Sequence, residues 1–181
     1  ELDQIHYGAS PIAPETLKKA MDIFGCKFAQ GFGMTETVAV ICAMTSDDHI
    51  RALNEKPELL KSCGRPLIDT LVEIRDENDK PLPIGEIGQI CAKGPQIMKG
   101  YWNKTEETAK ALSGGWMHTG DAGKMDEEGF VYIQDRIKDM INKKFGPGTM
   151  KYGSELPPIQ NPFKDFEERN PAAEGGQMVK P

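Results

Sequence analysis

A seven-residue stretch, Gln30-Gly31-Phe32-Gly33-Met34-Thr35-Glu36, does most to limit what this chain can become. It follows a short apolar run, residues 26–30, that reads as a buried strand, and that run follows a helical pattern over residues 14–24. In the helix, Pro14 suits the first position, Glu15 suits the positive end of the dipole, and Leu17, Ala20, Met21 and Phe24 recur at helical spacing. Gly25 ends it. A strand that delivers the chain into a glycine-rich turn is the pattern of an open α/β sheet, which binds ligands at the carboxyl ends of its strands. Two glycines around an aromatic let the backbone approach a flat ring closely, while Phe32 can stack on it. Thr35 offers a hydroxyl to an anionic oxygen, and Glu36 offers a hard carboxylate to Mg²⁺. Taken alone, the same residues also read as an ordinary glycine-rich turn with a Thr-Glu helix start.

Further along, residues 48–53 predict a short helix, and from Gly64 the texture changes. Residues 71–75 and 86–92 are β-like runs separated by Asp76-Glu77-Asn78-Asp79 and by Pro81, Pro83 and Gly85, the spacing of hairpins in a small antiparallel sheet or barrel. Asn103, with Glu106 three residues on, predicts the cap of a helix over 104–112 that Gly114-Gly115 stops. Residues 130–134 read as another strand after the turn Asp126-Glu127-Glu128-Gly129. Hydrophobic periodicity then fades, and six of the 13 prolines fall within 146–181. The expected division is an α/β portion over 1–63, a small β-rich subdomain over 64–142, and an irregular Pro-rich tail over 143–181.

Composition narrows the function classes. A formal net charge of -6 without any basic stripe excludes a nucleic-acid backbone as the main partner. Cys26, Cys42, Cys63 and Cys91 are too scattered for a zinc site or a dithiol centre, and read as free thiols of a reducing compartment. No apolar run approaches the roughly 18 residues that cross a bilayer, so a soluble, cytoplasmic protein without a transmembrane segment is expected. A start at Glu1 without Met leads us to expect sequence upstream.

The heptad is one of an ordered series. Tyr7-Gly8-Ala9-Ser10-Pro11 precedes it, and Gly64-Arg65-Pro66, Gly85-Glu86-Ile87-Gly88 and Gly94-Pro95-Gln96-Ile97-Met98-Lys99-Gly100-Tyr101-Trp102 follow. Gly115-Trp116-Met117-His118-Thr119-Gly120-Asp121 and Asp135-Arg136-Ile137-Lys138-Asp139-Met140-Ile141 complete it. Over residues 5–142 this series resembles the adenylate-forming (AMP-binding) superfamily of fatty-acyl-CoA synthetases, firefly luciferase and peptide-synthetase adenylation domains. The fold implied is α/β, the carboxyl-terminal part of the large N-terminal domain of such an enzyme with a small β-barrel-like subdomain. The activity implied is that of an AMP-forming acyl-CoA synthetase, an ATP-dependent acid–thiol ligase joining a carboxylic acid, most readily a medium- to long-chain fatty acid, to CoA.

The resemblance also assigns residues. Gly8, Ala9 and Ser10 line one side of adenine, and Gln30, Gly31, Phe32, Gly33 and Met34 the other. Thr35 contacts the α-phosphate, and Glu36 holds Mg²⁺. Asp121 binds the ribose diol, Arg136 the same ribose or its phosphate, and Lys138 is the pivot of domain rotation. Read singly, Asp121 is equally a turn residue and Arg136 equally a surface ion pair. His118 reads as a structural hydrogen-bonding residue, Tyr101, Trp102 and Trp116 as packing residues, and His6 and His49 have no assignable role. Val38, Val40 and Ile41 lend apolar support to an acyl substrate. The family's upstream phosphate loop and downstream catalytic Lys have no counterpart in these 181 residues, so the chain alone is expected to be inactive. Two other readings are an adenylation domain serving a carrier protein and a non-catalytic binding module on a truncated adenylation fold. The oligomeric state is left open.

Overall fold

The computed structural model describes residues 2–10 and 12–137. The chain divides into two compact units, Glu1–Asp135 and Arg136–Pro181. Of the second, only Arg136 and Ile137 are among the described residues.

The first unit opens with a β–α–β arrangement. Strand β1 (Gln4–Gly8) and strand β2 (Lys27–Phe32) lie parallel, in register from Gln4↔Lys27 to Gly8↔Gly31. Helix α1 (Pro14–Phe24) connects them, because parallel neighbours need a crossover. As the sequence predicts, Pro14 begins α1, and Gly25 ends it in the left-handed region at φ 56°. Leu17 is buried against Phe28 and Met44, with Ala20 and Met21 beside it. Phe24 departs from the expected buried stripe and is 56% exposed, since Met21 and Cys26 close the core at that end.

The chain then reverses. Strand β3 (Cys42–Met44) pairs antiparallel with β2, and β4 (Arg65–Pro66) with β3, giving a sheet of order β1-β2-β3-β4. Between them runs α2 (Ser46–Asn54), longer than the predicted 48–53 because Thr45 caps it. The Thr45 hydroxyl oxygen accepts from the Asp48 amide at 3.2 Å, and Asp48 Oδ2 accepts from the Thr45 amide at 2.9 Å. The reciprocal pair satisfies two donors that a helix start otherwise leaves unmet.

The second sheet has the order β5-β6-β7-β8, formed by Leu71–Arg75, Gly88–Lys93, Met117–Met125 and Val131–Arg136. Among the described residues its four strands form an open sheet rather than a closed barrel. Helix α3 (Thr105–Ala111) joins β6 to β7 and buries none of its residues. Its cap differs from the Asn103 expectation: Lys104 is the capping residue, and no side chain caps the helix. The Thr108 hydroxyl braces this end by donating to the Lys104 carbonyl at 2.7 Å while accepting from the Tyr101 amide at 2.9 Å. The helix then passes through a tight turn at Ser113–Gly115.

Backbone bonds and a shared core join the two sheets. The Cys63 amide donates to the Val131 carbonyl, and the Val131 amide donates to the Gly64 carbonyl, each at 2.9 Å. Ile41, Cys42 and Cys63 pack with Val72, Ile74, Ile90, Ala92 and Val131. Cys42, Cys63 and Cys91 are buried thiols, and no cysteine is in a disulfide. Among the described residues, no helix is long and apolar enough to cross a membrane.

Candidate active site

The predicted adenine-lining residues come together where β1 and β2 end. Gly8 and Gly31 are opposite each other in the parallel register, and Ala9 continues from β1 with φ 63°. Beyond Phe32 the backbone makes a compact turn. The Ile41 amide donates to the Phe32 carbonyl at 2.8 Å, and the Ala39 amide to the Met34 carbonyl at 3.2 Å. Thr37 is fully buried inside the turn, where its hydroxyl accepts from the Met34 amide and donates to the Met34 carbonyl, both at 3.0 Å. Val38 and Ala39 both adopt positive φ, 50° and 83°, a costly state that surrounding bonds must enforce. Gly33 permits the closure, because a Cβ there would strike the Ala39 carbonyl. The turn leaves Thr35 exposed and Glu36 half-buried on its outer side.

A distant segment fixes Glu36. The Met98 amide donates to the Glu36 carbonyl at 2.8 Å, and the Tyr101 hydroxyl donates to Glu36 Oε1 at 2.7 Å. That bond, foremost, and burial push the Tyr101 phenol up to about 12. Tyr101 therefore does more than pack. The donor set fits Mg²⁺, which keeps several waters and is held by one or two carboxylates plus substrate phosphates. Glu36 and the Thr35 hydroxyl supply hard oxygens of that kind, and among the described residues no cluster of three or more acidic, His or Cys groups forms a protein-only cage. Trp116 is packed as expected, under the Arg75 guanidinium 4.3 Å from its ring centre. Trp102 is 89% exposed, so it is not part of the core of the described residues. Ile41 is fully buried in the inter-sheet core, so it is not available to line an acyl pocket.

Asp121 occupies an irregularity of β7. Gln89 faces Ala122 and Cys91 faces His118, so Thr119, Gly120 and Asp121 together oppose Ile90 alone. Gly120 takes φ 78°, and the Thr119 hydroxyl holds the bulge by donating to the Ile90 carbonyl at 2.8 Å and accepting from the Asp121 amide at 3.1 Å. The Cys63 thiol is pushed well above its usual range by a hydrogen bond with Cys42, by burial and by charges that include Asp121. Cys42, next to Cys63 in this group, pairs with Phe32 at the end of β2. His118 has Nδ1 2.9 Å from Gln89 Oε1, a hydrogen bond of the kind expected of it. Arg136 closes β8, and Lys138 lies outside the described residues.

One pair has no part in the sequence expectations. His49, fully buried on α2, has Nδ1 2.7 Å from the Thr45 carbonyl and Nε2 2.9 Å from the Tyr7 hydroxyl. Tyr7 in turn lies 3.2 Å from Gln30 Oε1. Burial pushes His49 down and Tyr7 up. A groove of about 560 Å³ lies elsewhere, at the amino ends of β1 and β2, lined by Leu2, Met21, Phe28 and Ile50 among others.

The sequence profile of the AMP-binding enzyme family matches residues 1–102. The chain belongs to that family. It is 45% identical over 140 residues to the medium/long-chain-fatty-acid–CoA ligase FadD8 of Mycobacterium tuberculosis, an alignment covering 77% of this chain and 24% of the relative. Amide bond synthetase McbA from Marinactinospora thermotolerans superposes with a TM-score of 0.69 at 41% identity, covering 75% of this chain and 26% of that one. For o-succinylbenzoate CoA synthetase from Bacillus subtilis, in complex with its acyl-adenylate intermediate, the values are 0.64 and 32%, covering 74% and 32%. The chain spans about a quarter of the length of the curated relatives it matches, for instance 24% of the mycobacterial ligase and 23% of a Bacillus subtilis long-chain-fatty-acid–CoA ligase.

Proposed function

We propose that this chain carries the adenine-, ribose- and magnesium-facing part of an ATP-dependent acid–thiol ligase, an AMP-forming acyl-CoA synthetase acting on medium- to long-chain fatty acids. The observation that supports it most is the turn after β2, where Thr35 and Glu36 are held just beyond the paired glycines Gly8 and Gly31. In this reading Gly8, Ala9 and Ser10 lie against one side of adenine and residues 30–34 against the other. Thr35 donates to the α-phosphate, Asp121 accepts from both ribose hydroxyls, and Arg136 and Lys138 serve the ribose and the hinge. Mg²⁺ held at Glu36 supplies neutralisation of the leaving pyrophosphate.

The acid's carboxylate oxygen attacks the α-phosphorus of ATP as the bond to pyrophosphate breaks, giving acyl-adenylate. The CoA thiol then attacks the acyl carbon, loses its proton to solvent, and expels AMP. Neither step calls for a strong protein base, so orientation and charge placement supply most of the acceleration. Free buried thiols suit a reducing cytoplasm.

A second reading keeps the first half-reaction and changes the acceptor. The likeness to an amide bond synthetase at 41% identity, and to the fatty acid–[acyl-carrier-protein] ligase ScoC of Streptomyces coeruleorubidus at 37%, supports an amine or a carrier thiol in place of CoA. Both readings are tested with the full-length protein that contains these residues. Octanoate- or palmitate-dependent exchange of pyrophosphate into ATP is expected, and Glu36→Ala is expected to lower it on the order of a hundredfold. Product analysis with CoA, carrier protein and amines then separates the acceptors. Absence of exchange with every carboxylic acid offered, or indifference to Glu36→Ala, overturns the proposal.

A further inference from the structure

The Tyr7 hydroxyl has one proton and faces two groups that could take it, Gln30 Oε1 at 3.2 Å and His49 Nε2 at 2.9 Å. The Thr45 carbonyl settles which of them receives it. A carbonyl only accepts, so His49 Nδ1, 2.7 Å away, carries a hydrogen, and in the neutral ring Nε2 is then a bare lone pair. The hydroxyl therefore donates to Nε2, the nearer contact, and has no proton left for Gln30. A half-turn of the Gln30 carboxamide exchanges its oxygen and nitrogen without changing its shape. The amide nitrogen then donates to Tyr7, the chain Gln30→Tyr7→His49→Thr45 is satisfied at every link, and Gln30 Oε1 faces away from it.

The surroundings keep that arrangement. His49 is fully buried, and its edge-to-face contact with Tyr7, centroids 5.7 Å apart, fixes both rings. Burial favours the neutral imidazole that the chain needs. The charged groups around it are already committed: the Asp48 carboxylate accepts from Thr45 at 2.7 Å and from Arg65 of β4 at 3.0 Å. Gln30 is in register with Tyr7 on neighbouring strands, one residue before the Gly8↔Gly31 pair, so the carboxamide is set at the carboxyl end of the sheet.

We infer that His49 and Tyr7 are positioning residues that hold Gln30 with its carboxamide oxygen outward, as the acceptor that distinguishes the 6-amino group of adenine from the 6-oxo group of hypoxanthine. This rests on the reading that residues 30–34 line adenine. Neither His49 nor Tyr7 touches the nucleotide; both act through Gln30.

The test compares kcat/KM for ATP and ITP in the full-length protein. Wild type is expected to prefer ATP. His49→Leu removes the acceptor, so the Tyr7 hydroxyl donates to Gln30 Oε1 instead and the amide nitrogen turns toward the base. The ATP-over-ITP ratio is then expected to fall about tenfold, the effect of one hydrogen bond. His49→Gln, whose carboxamide oxygen reaches the place of Nε2, is expected to restore most of the ratio. Lowering the pH until His49 takes a second proton makes Nε2 a donor, so the wild-type ratio falls and that of His49→Gln stays level. Should His49→Leu not fold, Tyr7→Phe carries the same expected loss. A purely structural role lowers thermal stability and the use of both nucleotides alike, leaving the ratio unchanged, and that result overturns the inference. If Gln30→Ala abolishes the preference while His49→Leu and Tyr7→Phe keep it, the positioning role fails and the adenylation reading stands. If wild type shows no carboxylate-dependent pyrophosphate exchange, the adenylation reading fails and the inference falls with it.

Discussion

Gly33 and Ala39 meet backbone to backbone inside the turn that presents Thr35 and Glu36, and the clash an added Cβ would make there is with a carbonyl that cannot swing aside. Gly33→Ala should therefore destabilise the chain by about 2–3 kcal/mol, the range of substitutions that force a packed backbone to move. Chemical denaturation checks this, and an unchanged midpoint would show that the turn opens freely. At this scale the sequence was informative about residue types and silent about partners. The glycines and the Thr-Glu pair mark their own chemistry, because a bare backbone and a hard carboxylate have few other uses side by side. Tyr101 and His49 do not. A tyrosine 65 positions from the glutamate it bonds, or a histidine 42 positions from its tyrosine, leaves no local pattern, since only the folded register brings the pairs together.

Among the elements, α1 was legible because three signals agree on it: Pro14 at the start, Gly25 at the end and an apolar stripe anchored by Leu17. Strand β7 was hidden for the opposite reason. Its nine residues, Met117–Met125, include Gly120 and Gly123 and carry a bulge, so period-two alternation breaks in the stretch that carries Asp121. The cap predicted at Asn103 failed because Asn103 takes φ 52° rather than the extended conformation of a capping residue, and the helix starts one residue later, behind Lys104. Helix α2 has the strong cap instead, and it carries His49. Replacing Thr45 with Ala removes the hydroxyl from the capping pair and should cost about 1 kcal/mol. The thermal midpoint should fall by roughly 2–4 °C for a chain of this size. A midpoint unmoved by Thr45→Ala would mean that the Asp48 and Arg65 contacts hold the start of α2 without the hydroxyl.

For the molecule as a whole, the pairing of the sheets through residues 62–64 and Val131 was beyond sequence reading, since it joins segments 68 positions apart with no shared motif. That shared core makes pH dependence a property of the whole unit. His49 is buried with its pKa lowered, foremost by desolvation, so the unfolded chain binds its proton more readily than the folded one. The stability it contributes is present above the unfolded value of about 6.5 and is lost as pH falls through the lower folded value. Glu128, held down to about 2 by Arg51 first and then Lys56, acts later: its contribution is present above 4.5 and disappears toward 2, and it is weakened by salt because the group is at the surface. Tyr7, raised by burial, works in the other direction, its contribution being complete below the unfolded value near 10 and lost as pH rises beyond it. The denaturation midpoint should accordingly be level between about pH 7 and 8, fall at higher pH as the thiols of Cys63 and Cys91, both raised in the folded chain, ionise on unfolding, and decline below about 6.5 in low and high salt alike. In His49→Gln, which cannot take up that proton, the decline should begin only near the carboxylate range. A wild-type midpoint that stays level down to pH 5, or a His49→Gln profile that keeps the early decline, would show that His49 is not the group that senses mild acid.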